Sequence, residues 1–167
     1  NEKYILSLKD LCTLDLIPDI LEAGVCSLKI EGRMKTALYV ATVARTYRKA
    51  IDDYLEDPEK YKANMEWYKE EIGKCTYREF TTGFYFGKPG SDAQIYNSNT
   101  YVKNYTYLGT VEEADGKGRC RIEQKNKFSV GETIEIMKPD GRNLEVVVKS
   151  ICDEDGNEQE SAPHPKQ

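Results

Sequence analysis

The chain of 167 residues has a globular composition, with 39% hydrophobic residues, 32% charged residues and a formal net charge of -5. It contains no apolar run long enough to cross a membrane and no charged-then-apolar leader for secretion, so we expect a soluble, cytoplasmic protein without a membrane partner. Its five cysteines are widely spaced and form no CxxC pair. This spacing predicts reduced thiols and argues against a disulfide framework.

The first third of the chain has the pattern of two successive βα units. The segment "YILSL" predicts a strand, Pro18 fits the first turn of a short helix, and Gly24 is a helix stop. The segment "SLKIE" predicts a second strand, and Thr36 can cap a long helix that begins at Ala37. Two βα units in succession imply a parallel sheet. Two strands cannot close a barrel and the chain starts at Asn1, so we expect a fragment of a longer protein.

The middle of the chain predicts another helix and an aromatic connector. Asp57 and Pro58 form a helix start, and Gly73 is the matching stop. The segment "REFTTGFYFGKPG" is too aromatic for a free linker and too rich in glycine for a helix. We interpret it as an ordered connector that packs its rings between two domains, with a ligand-stacking loop as the alternative.

The last third of the chain predicts a small antiparallel β barrel. From Tyr101 onward, the alternating runs "YLGTV", "RCRIEQ", "ETIEIM" and "LEVVVKSI" are separated by turns that contain glycine. The sequence therefore predicts an α+β protein in three parts. These are an α/β edge at residues 1–56, a helix and connector at residues 57–100, and a small β-barrel domain at residues 101–167.

Charged side chains mark the end of the predicted strand in "SLKIEGRMKT". Alternation places Leu28 and Ile30 on one face and Lys29 and Glu31 on the other, and Arg33 follows the turn glycine. A strand, turn and helix whose junction carries charges of both signs is a common way to build a site in α/β proteins. The alternative is a strand end whose charges are only solvated.

Basic side chains are concentrated in the segment "GKGRCRIEQKNKF", which ends in an aromatic residue. Basic groups reach phosphates and aromatic rings stack on bases, so a small β barrel with these residues could hold RNA. Alternating strands would scatter the same residues over two faces. The candidate RNA-binding residues are Lys117, Arg119, Arg121, Lys125 and Lys127.

The sequence contains no recognisable hydrolytic machinery. A serine or cysteine nucleophile needs a base and a zinc protease needs paired histidines, but the one histidine is His164 in the tail "APHPKQ". There is no Walker loop and no GxGxxG, and no motif marks a pair of carboxylates. The catalytic residues are therefore unknown at this stage.

The segments "SLKDLCTLDLIPDI", "SLKIEGRMKT", "TTGFYFGKPG" and "IEQKNKFSVGETIEIMKPDG" resemble the carboxyl-terminal part of the U32 family of collagenase-like peptidases. The resemblance implies the last βα units of an incomplete TIM-like barrel, followed by the family's carboxyl-terminal β domain. Strand ends face the active site in such a barrel. Lys29 and Arg33 would then hold a carboxylate or phosphate, and Glu31 would orient Arg33 or take a proton. A buried structural ion network is the alternative.

Other members of this family are oxygen-independent or prephenate-dependent hydroxylation proteins, which modify tRNA or ribosomal RNA or act in ubiquinone synthesis. Several are expected to hold an iron-sulfur cluster through four cysteines. The resemblance implies that Cys12, in "KDLC", is one metal ligand in the full-length parent and that three ligands lie upstream. The sequence leaves a buried thiol as the alternative for Cys12, and no cluster is expected in the fragment alone.

The resemblance thus implies an enzyme of RNA modification, with prephenate-dependent tRNA uridine hydroxylation as the leading case and tRNA or ribosomal RNA as the partner. A genuine U32 peptidase or collagenase acting on a protein substrate is one alternative. A noncatalytic module that binds RNA or protein is another. We expect the fragment alone to be inactive as an enzyme.

Overall fold

The computed structural model describes residues 8–95 and 105–163. Most of the predicted strand "YILSL", as well as Tyr101 and His164, lie outside these residues. The chain divides into two compact units, Asn1–Tyr105 and Thr106–Gln167. The mixture of helices and strands confirms the α+β class.

The first unit is mainly helical. Strand β1 (Asp10–Leu11) is followed by a 3-10 turn (Leu14–Leu16) and by the helices α1 (Ile17–Glu22), α2 (Ala37–Glu56), α3 (Pro58–Ala63) and α4 (Met65–Ile72). Strand β2 (Phe80–Thr81) then pairs with β1 in parallel, and a 3-10 turn (Ser91–Ala93) closes the described part. Among the described residues, none of the helices combines the length and the apolar character that a membrane span requires.

Local signals predicted the helix starts correctly. The Thr36 hydroxyl accepts a hydrogen bond from the Tyr39 N–H at 3.2 Å, so Thr36 caps α2 as expected. The Asp57 carboxylate accepts from the Glu59 N–H at 2.9 Å and caps α3, whose first residue is Pro58. The predicted helix between Pro58 and Gly73 is interrupted at Asn64, which separates α3 from α4.

The predicted strand "SLKIE" is wrong, because residues 25–32 form neither helix nor strand. A strand is defined by backbone hydrogen bonds to a partner, and no strand within residues 8–95 pairs with this segment. The predicted alternation of side chains nevertheless holds. Leu28 and Ile30 are half-buried against the core, whereas Lys29 and Glu31 are exposed.

The core of the first unit lies where α2 packs on the other helices and on the turn after β1. Its buried residues are Leu14, Ile17, Val43, Ala50, Tyr61, Tyr68, Ile72 and Cys75. The Tyr61 hydroxyl donates to the Leu14 carbonyl at 2.5 Å, which joins α3 to this turn. Buried tyrosines supply much of the packing, because each ring removes a large apolar area from water.

One buried carboxylate, that of Asp53 in α2, joins three helices. It accepts hydrogen bonds from Lys49 at 2.8 Å, Lys60 at 3.0 Å, Asn64 at 3.0 Å and Tyr68 at 2.6 Å. Burial opposes ionisation of Asp53, but these four hydrogen bonds outweigh it and hold the pKa of the carboxyl well below its usual range. Asp53 is therefore an ionised carboxylate in the folded first unit.

In the aromatic connector, only Phe80 is packed. Its ring stacks on that of Tyr77 at 4.3 Å between centroids and contacts the helical core. Phe84, Tyr85 and Phe86 are 76%, 57% and 79% exposed. The packing of these rings between two domains stays a prediction. The connector also supplies β2, which the sequence pattern does not predict because two residues are too few to show alternation.

The second unit consists of paired strands. The strands are β3 (Gly109–Ala114), β4 (Cys120–Gln124), β5 (Phe128–Ser129), β6 (Thr133–Ile136), β7 (Leu144–Val147), β8 (Ile151–Cys152), β9 (Glu158–Gln159) and β10 (Ser161–Ala162). They pair as β3 with β4, β5 with β10, β6 with β7 and β8 with β9, all antiparallel. The antiparallel prediction is correct, but these pairs do not close into a barrel within residues 105–163.

Three hairpin turns of the second unit use the same device, an aspartate whose carboxylate accepts nearby backbone N–H groups. Asp115 accepts from the N–H groups two and four residues further on, at 2.7 and 3.0 Å. Asp140 accepts from the N–H two residues further on at 3.0 Å, and Asp153 accepts at positions two and four, at 3.0 and 2.8 Å. Each turn is thus stabilised by its own residues.

We expect the substitution Asp53→Ala to lower the free energy of unfolding of the first unit by about 3 kcal/mol, because it leaves buried hydrogen-bond donors and a lysine without their partner. The fluorescence of Trp67, the only tryptophan, reports on this unit during urea unfolding.

The matched control for this prediction is Asp52→Ala. Asp52 is the neighbouring residue, and its ion pair with Arg48 is well exposed, so its removal should change the unfolding free energy by less than about 1 kcal/mol. Equal losses for the two variants would show that the buried network does not stabilise the helices.

Candidate functional site

The candidate site lies at the carboxyl ends of β1 and β2. The two strands are parallel, so their ends lie at the same edge of the sheet. Cys12 follows β1, and its N–H donates to the Thr81 carbonyl at 2.9 Å. The exposed aromatic turn, residues 82–87, follows β2. Ends of parallel strands are where α/β proteins commonly place their ligands.

Alternation along β1 divides the side chains of this edge between two faces. Asp10 and Cys12 contact residues of the helical side, where the Cys12 sulfur lies 3.8 Å from the hydroxyl of Tyr47 in α2. Lys9 and Leu11 line a groove that the helical core does not fill. The cysteine and the groove therefore lie on opposite faces of the strand.

The Cys12 sulfur accepts a hydrogen bond from the Tyr47 hydroxyl at 3.8 Å. The Thr13 N–H donates to the Tyr47 oxygen at 2.7 Å, and the Thr13 hydroxyl lies 3.2 Å from the same atom. A backbone N–H can only donate, so Tyr47 accepts from Thr13 and keeps its own proton available for the sulfur.

Burial raises the pKa of the Cys12 thiol, although the hydrogen bonds from Leu14 and Tyr47 partly offset the effect. Burial, together with the neighbouring Cys12, raises the pKa of Tyr47 to about 12. Tyr47 thus keeps its proton at neutral pH and acts as a donor. Cys12 is mainly a thiol in the chain alone, and it becomes a thiolate when a cation compensates its charge.

A single cysteine cannot hold a metal cluster, and no group of three or more His, Cys, Asp or Glu side chains that could bind a metal occurs within residues 8–95 and 105–163. The donor chemistry of Cys12 fits one thiolate ligand, because hydrogen bonds to sulfur are typical of cluster-ligating cysteines. Cys75 is buried, and its thiol donates to the Ile72 carbonyl at 3.2 Å. The exposed cysteines are Cys26, Cys120 and Cys152.

The groove on the other face of β1 is open, mainly apolar and about 490 Å³ in volume. Leu11 of β1 and Phe84 and Tyr85 of the aromatic turn are among its lining residues. Gly83 has a φ of 60°, and a Cβ at this position would lie 3.1 Å from the Leu11 side chain. Glycine therefore permits the aromatic turn to approach β1 closely.

An ion pair that sequence analysis missed lies on the helical side of the same edge. The Lys35 ammonium donates to the Asp10 carboxylate at 2.9 Å, and both side chains are about one-fifth exposed (20% and 22%). The same oxygen accepts from the Arg78 N–H at 3.0 Å. Asp10 and Lys35 are 25 residues apart, so no local pattern relates them.

The structure does not bring Lys29, Glu31 and Arg33 into the groove or to Cys12. All three are exposed in the segment before α2. The Glu31 carboxylate accepts from the Arg33 backbone N–H at 2.7 Å, so it fixes the turn rather than the guanidinium. Neither Lys29 nor Arg33 forms an ion pair in the described part of the chain, and the substrate-binding role of all three residues stays a prediction.

The candidate RNA-binding residues of the second unit have different surroundings. Arg121 forms ion pairs with Glu112 at 3.1 Å and Glu113 at 2.9 Å, and Lys125 pairs with Glu123 at 2.6 Å. The remaining candidates, Lys117, Arg119 and Lys127, are exposed. Acidic neighbours thus neutralise part of this basic surface, and the other part faces solvent.

Comparison with known families places two models on the chain. The model described as peptidase family U32 matches residues 1–95, and the model of the peptidase family U32 C-terminal domain matches residues 103–167. No solved structure matches the chain.

Curated relatives carry two kinds of name. The chain is 40% identical to tRNA hydroxylation protein P1 of Bacillus subtilis over 98% of its own length and 39% of the relative. It is 32% identical to tRNA hydroxylation protein P of Escherichia coli over 96% of its length and 34% of the relative. A collagenase of Porphyromonas gingivalis is 38% identical over 73% of the chain and 32% of the relative. The chain thus spans about two-fifths or less of these relatives.

The five thiols should differ in their rate of alkylation by iodoacetamide at pH 8. Burial raises the pKa of Cys75 to about 11 and also raises that of Cys12, so both expose less of the reactive thiolate. Peptide mass spectrometry should therefore show Cys75 reacting at least about tenfold more slowly than the exposed Cys26, and Cys12 also reacting more slowly than Cys26. The difference should vanish in urea, and equally rapid labelling of Cys12 and Cys26 in the folded chain would contradict the buried site.

Proposed function

The chain belongs to peptidase family U32, and from this membership we propose that it is the carboxyl-terminal part of an enzyme that hydroxylates tRNA. Relatives named tRNA hydroxylation proteins align with nearly all of the chain. The observation that carries the proposal is the placement of Cys12, a hydrogen-bonded thiol at the carboxyl end of a parallel strand. Such an enzyme would act in the cytoplasm, where tRNA is modified.

We further propose that Cys12 is one thiolate ligand of an iron-sulfur cluster in the full-length parent. The remaining ligands would come from the parts of the parent that this chain does not include. A bound cluster would supply one-electron transfer. This chain would contribute by holding the sulfur, to which the Tyr47 hydroxyl donates.

Lys29, Glu31 and Arg33 form the proposed anion-binding part of this function. An exposed ammonium and an exposed guanidinium suit the carboxylates of a hydroxyl donor such as prephenate or a phosphate of the RNA. Glu31 supports this arrangement by fixing the Arg33 backbone. The division into a TIM-like barrel edge at residues 1–56, a connector at 57–100 and a β domain at 101–167 belongs to the same proposal.

The second unit would contribute to RNA binding. Lys117 and Arg119 lie in the β3–β4 turn, whose backbone is held by Asp115, so their side chains can reach a phosphate without disturbing the turn. Lys127 adds a further exposed cation near the end of β4. Arg121 and Lys125 would join this surface only by exchanging their glutamate partners for phosphates.

Proteolysis is the second candidate function, since one group of relatives is named collagenase. The described residues do not pair a nucleophile with a histidine, because the only histidine in the sequence is His164. Expressed alone, the chain could serve as a noncatalytic module that binds RNA or protein.

The cluster proposal predicts that the full-length parent, purified without oxygen, contains iron and acid-labile sulfide. The variant Cys12→Ser should lose most of both, because one thiolate ligand is removed. Cys26→Ser is the matched control, since Cys26 is exposed and should leave both contents unchanged. Equal iron in the two variants, or none in the wild type, would refute the cluster.

The same variants test the reaction in cells. A strain that lacks the parent gene should have tRNA without the hydroxyl group, as measured by mass spectrometry of its nucleosides. The wild type and Cys26→Ser should restore the modification, and Cys12→Ser should not. If the purified parent does not cleave gelatin, this result would argue against proteolysis. Cleavage of gelatin, together with tRNA that remains hydroxylated in the deletion strain, would favour proteolysis.

RNA binding by the second unit predicts a specific effect of charge reversal on the β3–β4 turn. We expect Lys117→Glu with Arg119→Glu to weaken tRNA binding by the chain at low salt about tenfold or more and to lower its salt dependence. The control pair is Lys138→Glu with Arg142→Glu on the β6–β7 turn. In this turn Asp140 accepts a backbone N–H, as Asp115 does in the β3–β4 turn. Equal weakening by both pairs would indicate a general charge effect instead of a binding surface.

A further inference from the structure

The hydroxyl of Tyr47 is held by two elements of the first unit. Its helix, α2, is fixed by buried Val43 and Ala50, which lie one turn before and one turn after it on the core side. Its oxygen accepts from the Thr13 N–H at 2.7 Å, in the segment that directly follows Cys12. The ring is thus anchored from the helix and from the strand end.

Chemistry fixes the direction of one of these hydrogen bonds, because the Thr13 N–H can only donate. The Thr13 N–H occupies one lone pair of the Tyr47 oxygen, and the hydroxyl proton is left for either the Cys12 sulfur or the Thr13 hydroxyl. A thiolate is a much better acceptor than a neutral hydroxyl oxygen. When Cys12 is deprotonated, the proton of Tyr47 will therefore point to the sulfur.

We propose that Tyr47 is a positioning residue for the cluster ligand, which holds the Cys12 sulfur in place and raises the reduction potential of the cluster by donating to it. This inference rests on the proposed function, because it requires Cys12 to bind the cluster. A hydrogen bond to sulfur stabilises the more negative, reduced state, and its removal therefore lowers the potential. No other side chain among the described residues donates to this sulfur.

A purely structural role for Tyr47 makes a different prediction. Its hydroxyl would then only satisfy the Thr13 N–H, and its loss would affect stability but not the electronic properties of a bound cluster. The reduction potential separates these roles, because it depends on groups that touch the cluster and its ligands.

The experiment is a redox titration of the anaerobically purified parent, comparing Tyr47→Phe with the wild type. We expect the midpoint potential of Tyr47→Phe to shift to a more negative value at unchanged iron and sulfide content. Tyr54→Phe is the matched control: it removes a hydroxyl from the same helix, but this hydroxyl donates to Glu22 and not to sulfur. Its potential should equal that of the wild type.

A second variant, Thr13→Val, tests the same inference without removing the tyrosine. It deletes the competing hydroxyl acceptor and keeps the backbone N–H, so the potential should stay the same or rise. A fall of the potential in Thr13→Val, or equal potentials in Tyr47→Phe and the wild type, would overturn the role of Tyr47 alone. Absence of iron and sulfide from the wild-type parent would overturn the proposed cluster and this inference together.

Discussion

The buried carboxylate of Asp53 is the interaction on which the helical unit depends. It lies in α2 and binds Lys60 of α3, Asn64 at the junction of α3 and α4, and Tyr68 of α4. These bonds fix the rotation of α2 about its axis, because only one face of the helix can present Asp53 to them. The same rotation directs Tyr47, nearly two turns earlier, to the strand end. A charge near the carboxyl end of α2 therefore supports the geometry around Cys12, which contacts the middle of this helix.

The features that sequence analysis predicted correctly are those determined by neighbouring residues. Thr36 as a helix cap and the Asp57–Pro58 helix start depend on contacts within three residues. The strand "SLKIE" failed because a strand is defined by its partner, and the partner of β1 is a two-residue segment of the connector. The contact between Tyr47 and Cys12 spans 35 residues, so no local sequence pattern indicates it.

The candidate site illustrates the same limit. Charge type and spacing indicate Lys29, Glu31 and Arg33 as candidate binding residues. Only the structure shows that Glu31 accepts from a backbone N–H and that Asp10 and Lys35 form the ion pair at the strand end. The basic residues of the second unit were also identified from composition. Their acidic partners were not, because Arg121 meets its glutamates across a pair of antiparallel strands.

The three aspartate turns of the second unit have a consequence for the order in which it folds. Asp115, Asp140 and Asp153 each bind N–H groups at most four residues away, so each hairpin can form with little loss of loop entropy. Within residues 105–163, only the pairing of β5 with β10 joins strands about thirty residues apart. The hairpins can therefore form from local contacts, whereas the pairing of β10 with β5 must close a longer loop at a larger cost in chain entropy.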